Sequence, residues 1–344
     1  MAPRRQLIPP VTMDTPTIFS LLPGQEVPVD RIIPALAEMW NMPVADGSTA
    51  PSEFRASQMN LILHFGRGTT ATEAKEKFST AVRFSQRYPC RIIVLCPDPQ
   101  PPEEFLLRAK VYGQCYVGKS RREMSCCEAI LLAYPRESKN FLENQVSILL
   151  EADLPIYYWI HHFSSAAKVA DYFGFLEKCK RIIFDSSVEE DAFLAIPWPR
   201  KETVRDILFA RLLPFRQITG HFMSSFPAAD IVRDLQSIAL HCGPELQAVA
   251  RVFLDWFRDR LNACATAAGT DDAFAPAIST DPTAAAGTLR LECCYTGSSS
   301  LHWQIDLSRK RAEISARLGH LERRLPMSLD LLTPQKELAE ALFF

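Results

Sequence analysis

No stretch of this 344-residue sequence reaches the roughly 18 uninterrupted apolar residues that a membrane-crossing helix needs. The first ten residues carry Arg4 and Arg5 with no apolar core behind them, so no signal peptide is read there and a reducing, cytoplasmic compartment is expected. An excess of charge of one sign is missing too: 38 Lys and Arg face 40 Asp and Glu, a formal net charge of -2. That balance speaks against a nucleic-acid partner gripped by a broad basic surface, and against an acidic solvating tail. The chain has no C-x-x-C pair, no H-E-x-x-H, no G-x-S-x-G, no Walker motif and no short-period repeat. Zinc ribbons, zincins, serine-hydrolase elbows, P-loop enzymes and solenoids therefore have no signature here, and no metal, cofactor or catalytic set is expected.

What is present is an ordinary folded composition, 47% hydrophobic and 23% charged. At about 150 residues per domain the length suggests two domains, each able to bury a core without disulfides or metals. The ten cysteines lie mostly inside apolar runs, so they are expected as free thiols.

Along the chain, residues 1–27 are Pro-rich and aperiodic, an extended arm in which Ile18 to Leu22 can dock on a domain. Val29 to Trp40 carries a helical apolar face, and a loop follows from Pro43 to Pro51. Met59–Phe65, Cys90–Cys96, Ile156–His162 and Arg181–Phe184 are short apolar runs that read as buried strands. Thr70–Tyr88, Asn140–Ala152 and a segment from Ser164 or Ser165 to Cys179 have helical periodicity. Leu107–Val117 and Ser125–Ala133 read as an antiparallel strand pair. Strands alternating with helices predict an α/β domain over residues 28–187, with a mixed, mainly parallel sheet and flanking helices (Rossmann-like).

A second, α+β domain is expected over 188–344. Its parts are a helix over Glu202–Arg216 ended or kinked by Pro214, a segment Ile231–Cys242 that fits helix or strand and is read as a strand, and a long helix from Pro244 to about Cys264. A flexible insertion is expected over 265–288. Three strands follow over 289–295, 301–307 and 312–318, then a terminal helix from Thr333 to Phe344.

Four groups of residues are candidates for a role. Gly66-Arg67-Gly68-Thr69-Thr70-Ala71 follows a buried strand and opens a helix, where a phosphate loop built on Gly66, Gly68 and Thr69 would sit. Asp98 lies after the next strand, later than the usual ribose-binding acid; the alternative is a tight strand-to-helix turn. Asp185-Ser186-Ser187 ends a strand, either a ligand-binding position or a serine helix cap ahead of Glu189 and Glu190. Arg211, Phe215 and Arg216 share a helical face, an arrangement found at protein interfaces and anion clamps, or one in which arginine stems cover apolar surface. Cys90, Cys126 and Cys127 are candidate redox positions, set against a reading as packed strand residues. His161 and His162 are adjacent in a strand and are expected to point apart rather than share a metal.

Several of these segments also resemble a family. "RYPCRIIVL" (87–95), "ENQVSILLEADLPIYYWIH" (143–161), "RIIFDSS" (181–187) and "ILFARLLPFR" (207–216) resemble, in order and spacing, the glucose-6-phosphate dehydrogenase assembly protein family, OpcA. Phe209 and Phe215 stand where the family carries tryptophans, and Trp159 is single where a pair is common. The Gly66 loop is outside the resemblance. The resemblance implies a non-catalytic partner that binds glucose-6-phosphate dehydrogenase and favours its active oligomer. Its motif residues here are Arg91, Trp159, Asp185, Ser186, Arg211, Phe215 and Arg216, with roles in an interface, in ligand binding or in the fold. The alternative from the residues alone is a nucleotide- or sugar-phosphate-binding enzyme or sensor working at the Gly66–Ala71 loop.

Overall fold

The structure, a computed structural model, describes residues 17–40, 57–98, 107–117, 124–135, 139–189, 191–269 and 277–344. The start of the expected arm, the Pro43–Pro51 loop and Glu190 lie outside them. The chain divides by contact into one unit of Met1–Ile156 with His162–Ser164, and another of Tyr157–His161 with Ser165–Phe344.

The first unit opens with α1 (Ile18–Leu21), capped by the Thr17 side chain, and β1 (Gln25–Val27). Then come α2 (Ile32–Trp40), β2 (Met59–Phe65), α3 (Ala71–Ser85), β3 (Cys90–Pro97), β4 (Arg108–Val117), β5 (Met124–Tyr134) and α4 (Lys139–Leu149). Its strands lie in the order β1-β4-β5-β3-β2. β2 runs parallel to β3, and β3 parallel to β5, whereas β4 is antiparallel to both β5 and β1. Every residue of β2 is buried, Asn60 and His64 included, as expected where both faces of a parallel strand are covered. The arm is anchored by Phe19 and Leu22, both buried. Lys110 Nζ donates to the carbonyls of Phe19 and Leu22 at 2.6 and 3.0 Å, so the charged tip of a buried lysine satisfies carbonyls at the end of α1.

The second unit contains β6 (Ile156–His161, from Tyr157 on), α5 (Ala167–Ala170), α6 (Phe173–Leu176), β7 (Arg181–Phe184), β8 (Val204–Asp206), α7 (Ile207–Arg211), α8 (Leu213–Met223) and α9 (Ala228–Val232). These are followed by β9 (Leu235–Cys242), α10 (Gln247–Ala268), β10 (Ala277–Asp281), β11 (Thr288–Tyr295), β12 (Ser300–Asp306), β13 (Arg311–Leu318), β14 (Leu321–Ser328) and α11 (Pro334–Phe343). β6, β7 and β8 are parallel neighbours. The six later strands form a sheet in the order β10-β9-β11-β12-β13-β14, antiparallel except for the β10–β9 pair. The strand sets are thus mixed and mainly parallel through β8, followed by an α+β region, the fold class expected from the pattern.

Helices α8 and α10 pack on one face of this sheet, around Phe215, Phe253, Phe257 and Trp303. Trp303 is fully buried and its Nε1 donates to Thr219 Oγ1 at 2.7 Å.

Four details differ from the sequence reading. The helix expected from Ser164 or Ser165 to Cys179 is two short ones, because Tyr172 takes φ -112, ψ 7 and breaks the α register between them. Pro214 does not end a helix: Leu212 leaves helical geometry, and Pro214 sits in the first turn of α8, where its missing N–H costs nothing. Within 265–288, α10 continues to Ala268 and closes on Gly269 at φ +68, and β10 adds a parallel strand to β9. Finally, β14 was not expected as a strand. Its sequence LERRLPMS contains a proline and adjacent arginines, which suit an edge position and hide the period-2 pattern.

Candidate functional site

The Gly66 loop is built for chain packing. Gly68 N–H donates to the His162 carbonyl at 3.1 Å, and Thr69 N–H to the Gly66 carbonyl at 3.1 Å. A Cβ on Gly66 would lie 2.2 Å from the His162 carbonyl oxygen, and one on Gly68 would lie 2.7 Å from the His162 ring. Thr70 caps α3, and Glu73 returns a carboxylate to the Thr70 N–H at 2.7 Å, a reciprocal capping box. The amides a phosphate would need at Gly68, Thr69 and Thr70 are therefore already bonded within the chain. His162 has φ +54 and its Nδ1 lies 3.1 Å from Glu73, so the same carboxylate also fixes the loop that presses on the glycines. Asp98 is buried, its N–H donated to the Tyr134 carbonyl.

Arg91 is interior. Its Nε donates to Glu128 Oε1 at 2.7 Å and its Nη1 to the Leu149 carbonyl at 2.9 Å, while Nη2 lies 2.5 Å from Glu151 Oε1. Trp40 Nε1 donates to the other Glu128 oxygen at 2.9 Å. Thus β3, β5 and the end of α4 meet on one guanidinium, α2 joins them through Glu128, and the buried Glu128 has a donor for each oxygen. These are contacts of a residue that holds the fold.

A second polar cluster lies at the end of β7. Arg211 on α7 donates to Asp185 Oδ2 at 2.7 Å and to Glu337 Oε2 on α11 at 2.6 Å. Ser187 N–H donates to Asp185 Oδ1 at 2.9 Å, so Asp185, rather than either serine, organises the turn that follows the strand. Burial pushes the Asp185 carboxyl up, but Arg211 and the Ser187 donors outweigh it and hold it below the usual carboxylate range. Ser186 instead serves β8: its N–H and Oγ donate to Asp206 at 3.1 and 2.6 Å. Asp206, which also caps α7 through Leu208 N–H, is pushed above its ordinary value by burial. The Ser186 carbonyl accepts from Arg251 of α10 at 3.1 Å.

The other candidates separate by exposure. Trp159 is buried in β6, its Nε1 without a hydrogen-bond partner among the described residues. Phe215 is fully buried, edge-on to Phe253. Arg216 reaches the surface, where its guanidinium stacks 3.7 Å from the ring centroid of Phe209, itself 37% exposed. Burial lowers the Arg216 pKa, and its Nε has no hydrogen-bond partner among the described residues. Of the motif residues, the Phe209–Arg216 pair is the part that faces outward. The side chains of Arg91, Trp159, Asp185 and Phe215 are enclosed by the fold.

The cysteines correct another expectation. Cys115 and Cys126 stand opposite each other on β4 and β5 and form a disulfide, so not all ten are free thiols. Cys90 and Cys127 are buried, and burial raises both thiols, which suppresses the reactive thiolate.

Two polar pairings had no signal in the sequence. His64, buried in β2, lies 2.5 Å from the Tyr134 hydroxyl, and burial pulls its pKa down to about 3, so it is neutral. Glu337 was read simply as part of a terminal helix. A groove of about 1090 Å³ lies on the polar face of the second-unit sheet and is lined by residues such as Arg290, Asp306 and Arg311, none of them a motif residue.

Comparison with known proteins finds matches to part of this chain. Residues 81–196 match the family described as "Glucose-6-phosphate dehydrogenase subunit N-terminal domain". The chain is 26% identical over 179 residues to "Putative OxPP cycle protein OpcA" of Synechocystis sp., and 24% identical over 179 residues to the protein of the same name in Synechococcus elongatus. The resemblance to the OpcA family read from the sequence is thus borne out. The matches take in 50% of this chain and span 37% and 40% of those relatives' own lengths. Among solved structures, "Glucose-6-phosphate 1-dehydrogenase from Mycobacterium avium" is similar at a TM-score of 0.44 and 11% identity, over 83% of this chain and 86% of that one, a likeness that carries no functional argument.

Proposed function

We propose that this chain is a non-catalytic assembly subunit that binds glucose-6-phosphate dehydrogenase and favours its active oligomer. The observation that carries this reading is the match of residues 81–196 to a family described as a subunit of that enzyme. The physical mechanism is linkage. A partner that binds the active oligomer more tightly than other states shifts the population towards it by the ratio of the two affinities, and a 1.4 kcal/mol difference gives about tenfold.

The contact surface in this reading includes Phe209 and Arg216. A half-exposed aromatic stacked under a guanidinium is the kind of anchor that dominates protein interfaces. Working in the cytoplasm, the subunit needs no cofactor of its own, because hydride transfer to NADP belongs to the enzyme.

The test is a titration of the chain into the dehydrogenase of the same organism, following both NADP reduction and particle mass by light scattering. A complex with a faster rate supports the reading. Weakening of both signals in the Phe209→Ala/Arg216→Glu double variant, with an unchanged melting curve, places the contact. No complex and no rate change at saturating subunit reject the proposal. No geometry favours the nucleotide reading at Gly66, since the amides there are occupied.

A further inference from the structure

The open edge of the second-unit sheet has features that fit a second copy of itself. Among the described residues β14 is the terminal strand of its sheet, and seven of its eight residues are exposed. It joins β13 through the two-residue turn Gly319-His320, flanked by the Leu318–Leu321 pair. In such a hairpin the flanking residues exchange backbone hydrogen bonds, and bonded and unbonded pairs alternate from there. Leu321, Arg323, Leu325 and Met327 therefore turn their backbone groups towards β13. Glu322, Arg324 and Ser328 turn theirs out of the sheet, and Pro326, which has no N–H to offer, falls in this outward set.

We infer that β14 pairs antiparallel with β14 of a second copy about a two-fold axis at Arg323, making the sheet continuous across a weak, concentration-dependent dimer. With that register Glu322 lies opposite Arg324 of the second copy, and Arg324 opposite Glu322. Both residues present outward N–H and C=O groups, so the two pairs exchange four backbone hydrogen bonds.

The charges agree as well. On the same face, Glu322 already pairs with Arg317 at 2.8 Å, and Arg324 pairs with Glu313 through two bonds at 2.7 and 2.8 Å. The dimer extends these pairs into two ladders, each running Arg317, Glu322, then Arg324 and Glu313 of the other copy, alternating in sign throughout. On the opposite face Leu321 meets Leu325 twice. These leucines are 40% and 38% exposed, although Leu318 and Ile314 beside them are fully buried. Pro326 falls opposite the His320 turn, where pairing stops. The single like-charge meeting is Arg323 with itself at the axis. A strand pair buries less than the 1,200 Å² or so of a standard stable interface, hence the weak association.

Sedimentation velocity of the full chain between about 1 and about 100 μM tests this. The native chain shifts from monomer towards dimer. Arg324→Pro removes an outward N–H that β13 does not use, and weakens association about tenfold or more. Arg324→Glu sets two glutamates face to face and does the same without touching the backbone, and Arg323→Gln tightens the dimer. A native chain that stays monomeric overturns the inference. So does a dimer that neither Arg324 variant weakens while both melt like the native chain, since it must form through another surface. No dehydrogenase is present, so the outcome is independent of the proposed function.

Discussion

Replacing Arg91 by Met removes the centre of the buried network while keeping the length and apolar stem of the side chain. Glu128, whose side chain is 2% exposed, then keeps the Trp40 Nε1 donor but loses the guanidinium that neutralises it. The Leu149 carbonyl loses its guanidinium donor. Glu151 is less affected, because its side chain is 32% exposed and turns to water. Removing one partner of a buried ion pair costs about 3–5 kcal/mol, against roughly 0–1 kcal/mol for an exposed one. Urea denaturation monitored by circular dichroism should therefore show Arg91→Met destabilised by about 3–5 kcal/mol, and Glu151→Gln by about 1 kcal/mol or less. Because the cost is an uncompensated charge, Arg91→Met/Glu128→Leu should recover a large part of the loss. A single variant within about 1 kcal/mol of the native chain, or a double variant worse than the sum of the singles, would refute the account of this cluster.

Asp185 is held below its ordinary pKa by Arg211 and Ser187, so its contribution is present above the unfolded value of about 3.9 and is lost as the pH falls through the lower folded value. Asp185→Asn should lower the urea midpoint at pH 7, and the gap from the native chain should narrow below about pH 4; a gap independent of pH would show that the charge is not what matters. Gly66→Ala meets the His162 carbonyl and should cost about 1–3 kcal/mol, whereas Gly174→Ala, in α6 with nothing within 4 Å, should be neutral or gain up to about 1 kcal/mol; equal melting temperatures would contradict the packing role.

The parts of the fold that were legible are those in which one local pattern decides the outcome. Met59–Phe65 and Cys90–Leu95 are predominantly apolar runs, and a helix face in α3 repeats through Ala74, Phe78 and Ala81, so their structure follows mainly from burial. β14 escaped because an edge strand needs no apolar alternation, and Pro214 misled because a proline at a helix start and one at a helix stop look alike in sequence. The site residues were less legible than the elements that carry them. Arg91 was singled out, but its partner Glu128 lies 37 residues away, Trp40 lies 88 from Glu128, and Glu337 lies 126 from Arg211. Such pairs are made by topology, which no local spacing reveals. The glycine loop shows the reverse error: the spacing suited a phosphate, yet the space is taken by His162, a residue 89 positions past Glu73.

The central claim is that this chain acts on a dehydrogenase rather than on a substrate of its own. The most direct measurement is the initial rate of glucose 6-phosphate-dependent NADP reduction by the purified dehydrogenase, with and without this chain, in samples whose oligomer mass is read at the same concentrations. The account predicts that the rate and the fraction of enzyme in the larger, subunit-bound species rise together and saturate at the same stoichiometry. An enzyme whose rate and mass are both unmoved by excess chain would contradict it.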